Sequence, residues 1–269
     1  DLGKAVAALM NEAGGPLDHL EVVGAGRPLT ADPAPLIAIP TTAGTGAEAT
    51  MNAVLGAPER GRKASLRDPR LLPRRALVDP DLLAGCPAAV ALTSGLDALT
   101  QVIEPYVSAF ATRFTDPLCR DAIPRGARAL PRLLAEGDAA ARTDMAQVSL
   151  YGGIALANAK LGAVHGLAGV IGGRTGAAHG AICGRLLGPI LAANEAALAA
   201  QAPDHPARAR LAEVRGWLSE AFGGDADAAP ETLAAWADAQ GLPRLAALGL
   251  DPSDHRAVAE ASAASSSMK

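Results

Sequence analysis

A chain of 269 residues, 49% of them hydrophobic, carries enough apolar material for one large core or two modest ones. Only 3% is aromatic, so that core must rest on Ala, Leu, Val and Ile, and a net charge of −4 argues against nucleic acid as the main partner. Three scattered cysteines, Cys86, Cys119 and Cys183, with no CxxC, speak for a reducing, cytoplasmic setting rather than a disulfide framework.

The opening DLGKAVAALMNEAG reads as an amphipathic helix and lacks the basic region and long apolar run of a signal peptide. PLIAIP, Pro35 to Pro40, is a short apolar run between prolines and fits a buried strand. The TTAGTGAEAT that follows offers hydroxyls, small side chains and free backbone N–H groups, a physical cradle for phosphate, although Gly/Thr turns are common. Asn52 to Pro73 alternates polar and apolar residues and is rich in Arg, which predicts a hairpin with one solvated face. Ala76 to Val78 reads as another strand and VDPDL as the turn out of this part. The fold expected is therefore a partial α/β domain over 1–79, followed by a helical domain over 80–269.

Helical punctuation predicts helices over Thr93–Ser108, Asp116–Leu134 and Ala139–Ala159, with Pro105 and Pro124 each kinking or ending a turn. In TSGLDALTQVIEPYVS, the residues Leu96, Leu99, Val102, Ile103 and Tyr106 form the apolar stripe, with an N-cap expected at Thr93 or Ser94. Asp97 and Gln101 lie one turn apart on one face. Taken alone, Asp97 is best read as an early-turn acid favoured by the helix dipole. His165 and His179 change that balance: they stand in GAVHGLAGVIGGRTGAAHGAICG among small and apolar residues, in a chain with only 5 His. One Asp and two His supply an oxygen and two nitrogens, a donor set suited to Zn²⁺ or Fe²⁺ with positions left open. His179 opens the next expected helix, which runs through Leu187 to Ala200. Leu150 to Gly173 is the most membrane-like stretch, but Lys160, His165 and several glycines interrupt it, so it reads as buried helix and loop. Tyr151 and Asn158 are expected to pack and cap, and His19, His205 and His255 to lie at the surface. From Gln201 to Lys269, Ala-rich helices alternate with Pro/Asp/Gly turns and carry no chemical motif.

Four stretches in order, PLIAIPTTAGTGAE, ALVDPDL, TSGLDALTQVIEPYVS and GAVHGLAGVIGGR…HGAICG, resemble the iron-containing (group III) alcohol dehydrogenase family. The likeness runs over nearly the whole chain and is densest from Pro35 to Leu187. It implies a divalent metal between two domains, held by an Asp and a His one turn apart and by two later His. Asp97, His165 and His179 match three of these ligands, and Gln101 stands where the fourth, a His, is usual. An amide oxygen is a weaker donor to Fe²⁺ or Zn²⁺ than imidazole. The resemblance further assigns Thr41, Thr42, Gly44 and Thr45 to nicotinamide-dinucleotide contact, Lys63 to the cofactor ribose and Asn52 to a position nearby. Ala47 replaces a frequent Ser, and Gly169 stands where a second His is common. Asp1 and Lys4 look like the end of a GGGSxxDxxK motif, so the chain is expected to be a piece of a longer protein.

The function implied is hydride transfer between NAD or NADP and a small alcohol, aldehyde or ketone, with the metal polarising the oxygen and His165 and His179 at the reacting centre. Alternatives are a metal-independent reductase resembling maleylacetate reductases, a remnant that binds without turnover, and, ranked low, a sugar-phosphate cyclase like 3-dehydroquinate synthase. A homodimer, with no nucleic-acid or membrane partner, is expected.

Overall fold

The computed structural model describes residues 1–135 and 137–268. The chain opens with helices α1 (Leu2–Leu9) and α2 (Pro16–His19), followed by strands β1 (Ile37–Ala38), β2 (Asn52–Ala57), β3 (Arg62–Arg67) and β4 (Arg75–Ala76). β2 and β3 form the expected antiparallel hairpin, with Asn52 opposite Arg67 and Ala57 opposite Arg62. α1 packs on it, and Ala5, Ala8, Leu20, Leu29, Ala53, Ala64, Leu66 and Leu71 close a small core. β1 runs parallel to β4 over two residues only.

Two expectations fail here. PLIAIP is not a buried strand: Ile37 and Ile39 are 56% and 51% exposed, because β1 has β4 as its single hydrogen-bonded neighbour among the described residues. His19 is not at the surface but buried. The chain folds back over it, with Ala25 and Arg27 N–H groups donating to the Leu17 and Asp18 carbonyls, and its Nδ1 lies 3.0 Å from the Arg27 carbonyl oxygen. His205 and His255 are exposed, as expected.

The remainder is helical: α3 (Ala88–Val107), α4 (Thr115–Ala135), α5 (Ala139–Ala159), α6 (Ala163–Thr175), α7 (His179–Gln201), α8 (Ala207–Phe222), α9 (Ala229–Ala239) and α10 (His255–Ser262). The architecture is thus a partial α/β part followed by a helical body, with α3 packed against α4, α5 and α7. Its stripe of Leu96, Leu99, Val102, Ile103 and Tyr106 is buried, and so are Asp97, Gln101 and Glu104.

α3 starts earlier than its hydroxyls suggested. Pro87 occupies the N-cap position, while Thr93 and Ser94 lie mid-helix and donate back to the Ala89 and Val90 carbonyls at 3.0 and 2.7 Å. Asp97 therefore sits too far along the helix for the N-terminal dipole to explain it. α4 runs unbroken through Pro124 and Pro131, whereas Pro105 stands in the last turn of α3. The apolar stretch 150–173 is split between α5 and α6, which bend by 101° across Lys160–Gly162. Among the described residues, α7 is the one helix long and apolar enough to cross a bilayer, and 44% of its apolar window is buried in this fold. Tyr151 accepts from Gln147 Nε2 at 2.7 Å, and Asn158 donates to the Ile154 carbonyl at 2.8 Å.

The Thr/Gly loop joins the two parts. Gln101 Nε2 donates to the Thr45 carbonyl at 2.6 Å, and Gly46 N–H to Ser149 Oγ at 3.3 Å. Gly46 has φ +56°, and a Cβ there would lie 2.4 Å from the Ser149 carbonyl oxygen and 2.5 Å from Gly153 N. Gly61 has φ +58° with open space around it. Urea denaturation should separate the two cases: Gly61→Ala is expected to cost about 1 kcal/mol for the left-handed backbone alone. Gly46→Ala should cost roughly 2 kcal/mol more, as the loop is forced off α5.

Asp138 caps α5 by accepting from Ala141 N–H at 2.6 Å. That bond, helped by Arg132, holds its carboxyl below the ordinary Asp value. A folded pKa below the unfolded one means the stabilisation is present above the unfolded value and is lost as pH falls through the folded one. Asp138→Ala should therefore lower the melting temperature at pH 7, and the gap to wild type should close once the solution is acidified below the carboxylate range.

Candidate metal centre

The polar cluster at the heart of the helical body exists because two helix backbones come unusually close. A Cβ on Gly180 would lie 2.2 Å from the Thr93 carbonyl oxygen, so only glycine lets the start of α7 press against α3. His179 and Cys183, one turn apart on α7, are thereby brought to Asp97 on α3, and His165 reaches the same point from α6. One ligand atom from each of Asp97, His165, His179 and Cys183 lies within 4.8 Å of all the others. Asp97 Oδ1 stands 3.4 Å from His165 Nε2 and 3.7 Å from His179 Nε2, and Cys183 Sγ lies 3.6 Å from His179 Nε2.

Within this cluster Asp97 Oδ1 and His165 Nε2 are buried with no hydrogen-bond partner among the described residues. Leaving such atoms unpaired is expensive, on the order of 1–3 kcal/mol each and more if charged. A cation between them would satisfy both, and a carboxylate, two imidazoles and a thiol form a donor set that fits a divalent transition metal. The side chain of His179 is 33% exposed while those of Asp97 and His165 are 3% and 6%, so the cluster opens to solvent on the His179 side.

Glu104 sets the orientation of His165. Its Oε2 lies 2.6 Å from His165 Nδ1, while Oε1 accepts from Val164 N–H at 2.7 Å at the start of α6. With Nδ1 held by a carboxylate, Nε2 is the nitrogen turned toward Asp97, where it can bind a metal in exchange for its proton, as metal-binding histidines require. The electrostatics follow the packing. Burial pushes the Asp97 carboxyl up, but the neighbouring His165 and His179 imidazoles outweigh it and the net shift is downward. Burial also opposes a charge on His165, yet Cys183, Asp97 and Glu104 together raise it well above the ordinary histidine value. For His179 burial wins and the shift is downward, while the buried Cys183 thiol is pushed up to about 12.

The other expected site residues lie on the Thr/Gly loop, the hairpin and α3. Thr41, Thr42 and Thr45 are exposed on the loop, and Gly44 is buried where a Cβ would stand 3.0 Å from Ser94 Cβ. Asn52 begins β2. Lys63, on β3, brings Nζ to 3.0 Å from where a Cβ would stand on Gly172 of α6. Gln101 faces the Thr/Gly loop through its amide nitrogen, and Gly169 has open space beside it.

Residues 91–268 match the C-terminal model of the Fe-containing alcohol dehydrogenase family, and residues 1–80 match the iron-containing alcohol dehydrogenase model. The chain belongs to the iron-containing alcohol dehydrogenase family. Within the family it is 33% identical to a probable alcohol dehydrogenase, EutG, of Salmonella typhimurium, over 97% of this chain and 63% of that protein. It is 34% identical to a choline dehydrogenase of Bacillus subtilis, over 72% of this chain and 48% of that one. A solved 1,3-propanediol oxidoreductase superposes with a TM-score of 0.81 at 31% identity, covering 99% of this chain and 68% of its own. The chain thus spans about half to two thirds of the length of these curated relatives.

Cys183 in the cluster, and Glu104 beside it, were not singled out from the sequence. Glu104 falls seven positions after Asp97, the next place on the same helix face, which was the available signal. Exchanging its carboxylate for an amide probes the orientation directly. Glu104→Gln keeps an acceptor for Val164 N–H but presents NH₂ to His165 Nδ1, driving the proton to Nε2. Metal affinity, read by competition with a chelator, should fall roughly 10–100-fold with little change in melting temperature.

Proposed function

We propose that the full-length protein is an oxidoreductase that transfers hydride between NAD(P)(H) and a small alcohol, aldehyde or ketone. We assign a divalent ion, Fe²⁺ or Zn²⁺, to Asp97, His165 and His179. The observation that carries this reading is the pair of buried, unpartnered atoms, Asp97 Oδ1 and His165 Nε2, facing each other with His179 and Cys183 within 4.8 Å. The likeness to alcohol dehydrogenases supports the reaction type, and a neighbouring structure of a sulfoacetaldehyde reductase from Bifidobacterium kashiwanohense was solved with NAD⁺ (TM-score 0.80, 25% identity, covering 98% of this chain and 67% of that one).

When bound, the ion supplies Lewis acidity to the substrate oxygen. The chain does the rest. Glu104 holds His165 in one tautomer, and Asp97 keeps a negative charge against the two imidazoles. His179, on the open side of the cluster, is the group that meets an incoming substrate. Thr41, Thr42, Gly44 and Thr45 form the proposed seat for the dinucleotide, steadied by Gln101 and Ser149, with Lys63 and Asn52 at its ribose end. The division at 79/80 puts this seat in the first part and the cluster in the second, so the substrate would lie where the two meet. Homodimerisation is proposed on the family likeness alone.

A second reading has one observation behind it. Gln101, where the family usually has a His ligand, directs its amide nitrogen to Thr45, and a maleylacetate reductase from Rhizobium is among the structural neighbours (TM-score 0.70, 29% identity, covering 86% of this chain and 61% of that one). In that case His165 and His179 would act on substrate without a metal. Metal analysis of full-length protein purified anaerobically without chelator separates the two. About one Fe or Zn per chain, lost in His165→Ala/His179→Ala together with NAD(P)H-dependent carbonyl reduction, is expected. Activity that survives chelation in protein without metal would favour the second reading.

A further inference from the structure

We propose that Cys183 is a metal ligand in this protein, supplying through Sγ the fourth protein donor that the family pattern places at position 101. The inference rests on the reading of Asp97, His165 and His179 as metal ligands, and adds to it a donor from a different helix and of a different chemical class. Three observations carry it.

First, Cys183 Sγ is part of the four-atom cluster within 4.8 Å and stands 3.6 Å from His179 Nε2. Second, Cys183 follows His179 by one helical turn on α7, the spacing that points two donors at one ion. It is fully buried beside two polar atoms without partners, Asp97 Oδ1 and His165 Nε2, which aim into the same space. Third, Gln101, the residue expected in this role, offers only a weak amide-oxygen donor, and its amide nitrogen is tied to the Thr45 carbonyl at 2.6 Å. Cys119, by contrast, is buried in the apolar core and belongs to no such cluster among the described residues.

The chemistry is a simple exchange. As the metal–sulfur bond forms, the S–H bond breaks and the proton leaves to solvent, so the ion rather than the protein sets the charge on sulfur. A thiolate beside two imidazoles and one carboxylate is a softer donor set than three imidazoles and a carboxylate, and it shifts preference from Fe²⁺ toward Zn²⁺.

Cobalt tests this without relying on turnover, because Co²⁺ bound to a thiolate gives a sulfur-to-metal charge-transfer band in the near ultraviolet that oxygen and nitrogen ligands do not. Metal-free full-length protein is titrated with Co²⁺, alongside Cys183→Ser, Cys183→Ala and the control Cys119→Ser, each checked for native circular dichroism. The expected result is a band saturating at one Co²⁺ per chain in wild type and Cys119→Ser and absent from both Cys183 variants. Affinity for Zn²⁺ should fall in those variants by more than the roughly 10–100-fold that losing an orienting partner costs. Cobalt bound stoichiometrically with no such band in wild type would overturn the ligand role of Cys183 and leave the metal reading standing. The same band persisting in Cys183→Ser would overturn it too. Failure of wild type to bind Co²⁺ or Zn²⁺ at all would remove both readings together.

Discussion

Glu104 divides its carboxylate between two jobs that cannot be separated. One oxygen accepts the Val164 N–H at the first turn of α6, where a helix end has no partner of its own, and the other accepts from His165 Nδ1 one residue on. The bond that positions the N-terminus of α6 is thus made by the group that fixes the tautomer of His165. If α6 shifted along its axis, Nε2 would lose its aim at Asp97. Because α6 turns away from α5 by 101° across only a few residues, little in the chain connection itself holds α6 in register. Packing against α7, α10 and β3 does so, and the carboxylate from α3 fixes its first turn.

α3 serves three different needs from successive turns of one face. Asp97 enters the cluster, Gln101 holds the Thr/Gly loop at Thr45, and Glu104 grips α6. Each is a polar group in a core built mainly from Ala, Leu, Val and Ile, and each would be destabilising if left without a partner. Gln101 and Glu104 have partners within the chain, whereas Asp97 Oδ1 does not. That contrast, within one helix and a few ångströms, is the strongest physical argument that something outside the chain completes the cluster.

Much of this was legible in the sequence, and the failures have definite causes. Asp97 and the two histidines stood out because they are rare polar residues in apolar surroundings, the hairpin followed from its polar/apolar alternation, and α5 from the punctuation on either side of it. The start of α3 was misjudged because Thr93 and Ser94 look like caps, yet their hydroxyls are satisfied just as well by carbonyls one turn back. His19 was placed at the surface from its polar neighbours, whereas a loop closing over it depends on contacts that no local pattern carries. Glu104 was hidden by its position beside Pro105 in an apparent helix ending. Cys183 was weighed only as a possible disulfide partner. Its meaning depends on a helix crossing that Gly180 permits and that sequence spacing alone does not reveal.

On the proposed reading, the departure at Gln101 and the placement of Cys183 explain each other. A histidine at 101 would commit that turn of α3 to the metal and leave the Thr45 carbonyl without its present donor. Moving one donor from α3 to α7 preserves the count of protein ligands, since His179 and Cys183 repeat on α7 the one-turn spacing that Asp97 and position 101 have on α3. Position 101 is then free to anchor the loop proposed to hold the dinucleotide. The loop and the polar cluster hang from the same buried helix, at residues four positions apart. A rigid shared support of this kind would suit the proposed hydride transfer, which would depend on a fixed distance between dinucleotide and substrate.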